Sequence, residues 1–269
     1  MVPPTEIAAV RPGKRPRCTL LLRRLPIALL LLLAALGMGQ AMAQAAPMSS
    51  EAAEVDQFER RVREYLLRNP EVIMEALGIL KERQRAAEAE GLKRTIAERS
   101  DEIRNDPAAP VGGNPAGDVT LVEFFDYNCP YCRKVAPTMV ELEQSDRDLR
   151  LVYKEFPILG PGSQFAARAA LASRKQRKYV PFHNALMQAN QQVTEETVMD
   201  IARAIGLDTK RLEQDMQDPA IQDAIARNLQ LANALGITGT PSFVIGDRMV
   251  PGAVDLRTLQ GLIAEVRQQ

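Results

Sequence analysis

The 269-residue chain contains no tryptophan, a single histidine and three cysteines, and its aromatic residues amount to 4%. These scarcities exclude several classes of protein. A structural zinc site needs four ligands, usually Cys or His. Cys18 lies in a leader expected to be removed, so only Cys129, Cys132 and His183 remain. Three such residues do not complete a zinc site, and no metal or other cofactor is expected. A disulfide scaffold needs several bridges, and a chain with a core of this size needs none. The ten methionines are scattered singly, so no Met-rich copper cradle is visible. No run of basic residues occurs. Without the leader, which holds six of the 34 Lys/Arg and one of the 34 Asp/Glu, 28 basic and 33 acidic residues remain, a net charge of −5. That balance argues against nucleic acid as a partner.

Only one long apolar run is present, Ile27 to Leu36. Arg11, Lys14, Arg15, Arg17, Arg23 and Arg24 precede it, and the small-x-small sequence Ala41-Met42-Ala43 follows. That order is the signature of a secretory signal peptide, and the run is too short to span a bilayer. Residues 1–43 are therefore expected to be cleaved near Ala43, giving a soluble, exported protein of the periplasm.

Residues 44–107 form a charged segment that is helical in period. Val55, Phe58, Val62 and Leu66 make one stripe, and Asn69-Pro70 breaks it. A second helix is expected from Glu71 to about Arg104. Its stripe of Ile73, Leu77 and Leu80 degrades into Gln84, Ala87 and Gly91, the pattern of a solvated arm or an oligomeric stalk. The linker NDPAAPVGGNPAG (105–117) then suggests a domain boundary, with a second domain over 108–269. VTLVEFF (119–125) reads as a buried strand, a helix follows from Pro130, and LRLVYKEF (149–156) reads as a parallel strand. Helices fill about 160–236, with Gly206 and Gly236 as stops. SFVI (242–245), a Gly-Asp turn, a short strand and a last helix complete the chain. The order β-α-β, helices, β-β-α is α/β: a thioredoxin fold with an inserted helical domain, preceded by an N-terminal helical segment. No internal repeat is visible.

The chemistry concentrates in FFDYNCPYCR (124–133). A C-x-x-C pair is half a zinc site, a redox dithiol or a staple. The ligand count rules out zinc, and a four-residue loop closed by a disulfide stabilises little. An exported C-x-x-C with nothing to hold together reads as redox chemistry. Pro130 belongs at the first helical position, which makes Cys129 the N-cap. The helix dipole there favours thiolate, so Cys129 is expected to attack and the better buried Cys132 to resolve the mixed disulfide. Tyr131, between them, is placed to contact substrate or to cover the disulfide. Glu123 sits inside an apolar run, where an unpaired carboxylate is costly. Lys154 on the next strand is expected to pair with it, and Glu123 to accept the Cys132 proton. In GITGTPSFVIG (236–246), Pro241 stands directly before a strand and fits a turn with a cis bond to Thr240. The Thr240 backbone is then available to an extended substrate segment. His183 has no acidic or cysteine neighbour in sequence and reads as an ordinary side chain of the helical insert.

FFDYNCPYCRKVAP, the K-E-F-P turn and G-T-P-S-F together resemble the exported DsbA-type disulfide oxidoreductases over roughly residues 115–269. The family's acidic residue six places before the first cysteine matches Glu123, and its cis-proline matches Pro241. One departure stands out. Oxidase members usually carry histidine where this chain has Tyr131, so a thiolate-stabilising residue is missing, and threonine before the proline is more like the isomerase members. YLLRNPEVIMEALGILKERQ (65–84) resembles the suppressor-of-copper-sensitivity C (ScsC) group, in which an N-terminal helical region can join protomers, in some members as trimers. The resemblance implies an exported thiol–disulfide oxidoreductase leaning to isomerase or reductase. Its partners are then exported proteins with cysteines, a membrane redox partner that resets the dithiol, and a homo-oligomer formed through residues 51–104. Two alternatives remain: a copper(I)-binding or copper-tolerance protein using the same thiolates, since soft ligands select Cu(I), and a dithiol oxidase.

Overall fold

The computed structural model describes residues 50–268. The expected leader and its cleavage site lie outside the described residues. Contacts divide the chain into two compact units, one ending at Pro70 and one beginning at Glu71.

In the first unit, α1 (Ser50–Arg68) leaves Val55, Phe58, Val62, Tyr65 and Leu67 exposed. Its last turn is closed by Asn69, whose side-chain amide donates to the Tyr65 carbonyl at 2.8 Å.

The second unit opens with α2 (Glu71–Glu98), followed by a π-helical segment, Asp101–Asn105. The first half of α2 exposes Ile73, Met74, Leu77, Ile79 and Leu80, but its end departs from the expected solvated arm. Leu92, Ile96 and Ile103 pack into a cluster with Val122, Phe124, Val152, Phe156 and Leu231. Two cations from the sheet fasten the π segment. Lys154 Nζ donates to the Glu102 carbonyl and Arg150 to the Arg104 carbonyl, each at 2.8 Å. The compact unit therefore takes in α2, upstream of the boundary suggested by the linker.

The linker itself supplies an edge strand, β1 (Val111–Gly113), antiparallel to β3. Gly112 is required there, because a Cβ would sit 2.9 Å from the Tyr153 ring. β2 (Val119–Phe125), α3 (Pro130–Ser145) and β3 (Leu149–Glu155) make the parallel crossover. Five helices follow: α4 (Pro161–Ser173), α5 (Tyr179–Met187), α6 (Glu195–Ala204), α7 (Thr209–Asp215) and α8 (Pro219–Ala234). Buried Ala166, Ala167, Ala169, Ala170 and Ala172 on α4 present little side-chain bulk, so its neighbours approach closely. Thr194, Asp208 and Asp218 cap the last three of these helices, and Gly206 and Gly236 end α6 and α8 with φ of +74° and +70°. β4 (Ser242–Ile245), β5 (Arg248–Pro251) and α9 (Leu256–Arg267) complete the unit. The sheet order is β1-β3-β2-β4-β5, with β2 central. This is a thioredoxin fold with the helices α4–α8 inserted between β3 and β4. At the end of α9, Arg267 pairs with both Asp118 and Asp146 at 2.8 Å.

The sheet's two faces carry different cores. Leu121, Phe125, Leu151, Tyr153, Phe243 and Ile245 share one with Cys132 and α5. Val122, Phe124, Val152 and Val244 share the other with the end of α2. Among the described residues no helix is long and apolar enough to cross a membrane.

Candidate active site

β2 delivers the chain to a three-residue loop, Asp126-Tyr127-Asn128, and then to Cys129 at the N-cap of α3. The cap residue is extended (φ −77°, ψ 118°), and Pro130 takes the first helical position, where no N–H is needed. Polar side chains hold the loop. The buried Asp126 carboxylate accepts from the Asn128 N–H and the Ser163 hydroxyl at 2.7 Å, and from the N–H groups of Ile158 and Leu159 at 2.8 and 2.9 Å. The Asn128 side chain accepts from Val193 N–H at 2.8 Å and donates to the Val193 carbonyl at 3.0 Å. Both groups thus reach into the helical insert. These three loop residues lie inside the FFDYNCPYCR stretch, but sequence reasoning gave none of them a role of its own. The available signal was the set of polar residues directly before a cysteine at a strand end.

Both thiols are free. Cys129 is 4% exposed and Cys132 fully buried. The Cys129 sulfur does not turn back onto the helix N–H groups as the N-cap position suggested, since it makes no capping bond. Its S–H donates instead to the Thr240 carbonyl at 3.2 Å. The Thr240–Pro241 bond is cis, and Pro241 is buried beside the half-buried Thr240. Pro130 is exposed and Tyr131 is 62% exposed, so both rings are accessible from outside the site.

Glu123 is 3% exposed in the middle of β2, with no hydrogen-bond partner among the described residues. Burial pushes its carboxyl up to about 8. The same burial, joined by the charge of Glu123 and then of Cys129, pushes the Cys132 thiol well up. Glu123 thus lies on the dithiol side of the sheet, close enough for its charge to act on Cys132.

The expected Glu123–Lys154 pair is not formed. In the parallel register Glu123 lies beside Tyr153 and Lys154 beside Phe124, so the two charges project from opposite faces. Lys154 is fully buried, with its ammonium on the Glu102 carbonyl and on Asp106 at 3.2 Å. Burial lowers its pKa, against the pull of Asp106. A cavity of about 270 Å³ bounded by Lys154, Asp106, Arg227 and Leu231 lies on that other face, and neither cysteine lines it.

His183, on α5, is buried 3.2 Å from the Tyr127 hydroxyl, and burial holds it neutral with a pKa near 3. Among the described residues no group of three or more His, Cys, Asp or Glu is placed to hold a metal ion.

Comparison with known proteins agrees with the fold. Residues 120–264 match the family described as DSBA-like thioredoxin domain, and residues 54–87 match the copper resistance protein ScsC N-terminal domain. A thioredoxin-like oxidoreductase of Silicibacter pomeroyi is 53% identical, with a TM-score of 0.62, covering 63% of this chain and 98% of that one. A linker-deletion mutant of Proteus mirabilis ScsC is 28% identical, with a TM-score of 0.63, covering 83% of this chain and 99% of that one. The chain spans about a quarter of the length of several curated relatives, such as a Na(+)/H(+) antiporter NhaA of Salinispora tropica, 27% identical over 57% of this chain and 24% of the antiporter, and 82% of a thiol:disulfide interchange protein DsbA of Burkholderia cepacia, 24% identical over 58% of this chain. With the family model matching more than half of its length, the chain belongs to the DSBA-like thioredoxin domain family.

Proposed function

We propose that this protein is an exported thiol–disulfide oxidoreductase that exchanges disulfides with cysteine-containing exported proteins through Cys129 and Cys132. The observation that carries this reading is the free thiol pair at the strand-to-helix junction, with the Cys129 sulfur 3.2 Å from the Thr240 carbonyl. Cys129 attacks a substrate disulfide, its sulfur bonds to one substrate sulfur, and the other leaves as thiolate. Cys132 then attacks the Cys129 sulfur, closing the protein disulfide and releasing the second substrate thiol. Glu123 takes the proton that Cys132 must lose. A carboxyl poised at about 8 is ionised in a minority of molecules at neutral pH and is a stronger base than a surface carboxylate. Thr240, beside Pro241, offers its backbone to an extended substrate, and Pro130 and Tyr131 form the exposed rim that meets it.

Tyr131 between the cysteines and Thr240 before the proline favour isomerase or reductase over oxidase, with a membrane redox partner resetting the dithiol. A leader cleaved near Ala43 takes the protein to the periplasm. The exposed apolar residues of α1 favour a homo-oligomer, since exposed apolar stripes on helices pair with other helices. A second reading, two-thiolate binding of Cu(I), draws on the two free thiols and on the description of the family matched at residues 54–87.

The test is trapping. Cys132→Ser should accumulate mixed disulfides with scrambled or exported substrates, and Cys129→Ser should not. Equal trapping by both variants, or by Cys129→Ser alone, overturns the assignment of roles. Binding of Cu(I) with no turnover of any disulfide selects the second reading.

A further inference from the structure

The loop that presents Cys129 is held by one more group, which the exchange chemistry above leaves unused. Glu155, the last residue of β3, is buried on the dithiol face of the sheet. One of its oxygens, Oε1, accepts two phenolic hydroxyls, from Tyr127 at 2.9 Å and from Tyr179 on α5 at 2.7 Å. A phenol has one proton to give. With Tyr127 donating to Glu155, the 3.2 Å contact to His183 requires the imidazole Nδ1–H to donate to the Tyr127 oxygen. The Phe125 and Tyr153 rings pack against His183 with centroids 4.7 and 4.6 Å away, closing the cluster to water.

Tyr127 joins this cluster to the dithiol. It stands two residues before Cys129, and its own carbonyl accepts from Arg133 Nε on the first turn of α3 at 2.8 Å. Asp126 and Asn128 on either side of it are tied to α4 and to Val193. Every side chain of the loop is therefore anchored, and the anchor for Tyr127 is Glu155. An acid buried this deeply, whose desolvation outweighs two phenol donors, is costly to keep unless it holds something in place.

We propose that Glu155 is a positioning residue for the dithiol: through the Tyr127 hydroxyl it fixes the loop that sets the Cys129 sulfur against the Thr240 carbonyl. The inference rests on the thiol–disulfide reading above. Without the carboxyl group, two buried phenols lose their acceptor, Tyr127 shifts, and the backbone entering the N-cap shifts with it.

The experiment uses the mature protein and two readouts: the equilibrium constant with glutathione and the rate of Cys129 alkylation at fixed pH. Glu155→Ala and Tyr127→Phe should each change both by about threefold or more, and the double variant should change them no further than the singles. Glu155→Gln, whose amide oxygen can accept both phenols, should restore both to within about twofold. Tyr179→Phe leaves the Tyr127–Glu155 bond intact and should stay near wild type. Should Glu155→Ala fail to fold, Tyr127→Phe carries the same test. Variants that lower Tm while leaving equilibrium and alkylation at wild-type values overturn the proposal and leave Glu155 a stabilising residue only. A wild-type protein that exchanges nothing with glutathione overturns the functional reading, and this inference with it.

Discussion

Glu123 and Lys154 occupy adjacent central strands and are both buried, yet their surroundings differ in kind. Lys154 has a carbonyl and a carboxylate within hydrogen-bond reach and fastens the π segment to the sheet. Glu123 has no such partner, and its carboxyl is pushed up to about 8 beneath a thiol that is itself hard to ionise. A paired buried charge serves as a fastening. An unpaired one beside a reactive group is available for proton transfer. The two faces of a single sheet thus separate a buried charge that fastens from one proposed to move a proton.

The largest effect is expected on the structural face. Lys154→Met leaves Asp106 unpaired and the Glu102 carbonyl without its donor, and should destabilise the protein by about 3 kcal/mol in urea unfolding. Exchange by the folded protein should be unchanged. Slowed exchange at full folding would erase the contrast between the faces.

On the other face, Glu123→Gln should slow resolution of the mixed disulfide by about a hundredfold while leaving attack by Cys129 intact. Single-turnover kinetics separate the two steps. In the wild type, resolution should quicken as pH rises towards about 8, where Glu123 ionises, and the variant should lack that rise.

The same group links stability to pH. Its folded pKa lies above its ordinary value of 4.5, so the folded state holds the proton more tightly than the unfolded chain does. The resulting contribution is fully present below about 4.5 and is lost progressively as pH rises to about 8. Across that window wild type should lose up to about 1.4 kcal/mol per pH unit relative to Glu123→Gln. Parallel stability curves would mean that Glu123 is solvated.

The smallest effect on chemistry concerns α1. Deleting residues 44–70 should convert an oligomer into a monomer by sedimentation, with exchange of small disulfides unaltered. A concentration-independent monomer before deletion would leave the exposed residues of α1 without a partner copy.

Much of the frame was legible because local chemistry dictates it. The β-branched run of β2, the Cys-Pro step into α3 and the Thr-Pro step before β4 each constrain the backbone where they stand. The end of α2 was not legible. The stripe through Ile73, Leu77 and Leu80 runs out at Gln84, and burial resumes at Leu92, Ile96 and Ile103 on a line that this stripe does not continue. The face of Lys154 was hidden for a different reason. Knowing that two strands are parallel does not give their register, and a one-residue slip exchanges the faces. The Tyr127–Glu155–Tyr179–His183 cluster draws on three separate segments, the loop before α3, the end of β3 and α5, and no sequence spacing brings them together.

The sheet order carries a consequence for how the chain is made. Along Leu121–Phe124 the central strand β2 has β3 on one side and β4 on the other. Ser242–Ile245 are synthesised only after the entire helical insert. Throughout that interval the nascent chain presents an open, almost wholly apolar β edge, the kind of template on which foreign strands assemble. That edge stays open to foreign strands until β4 pairs with it.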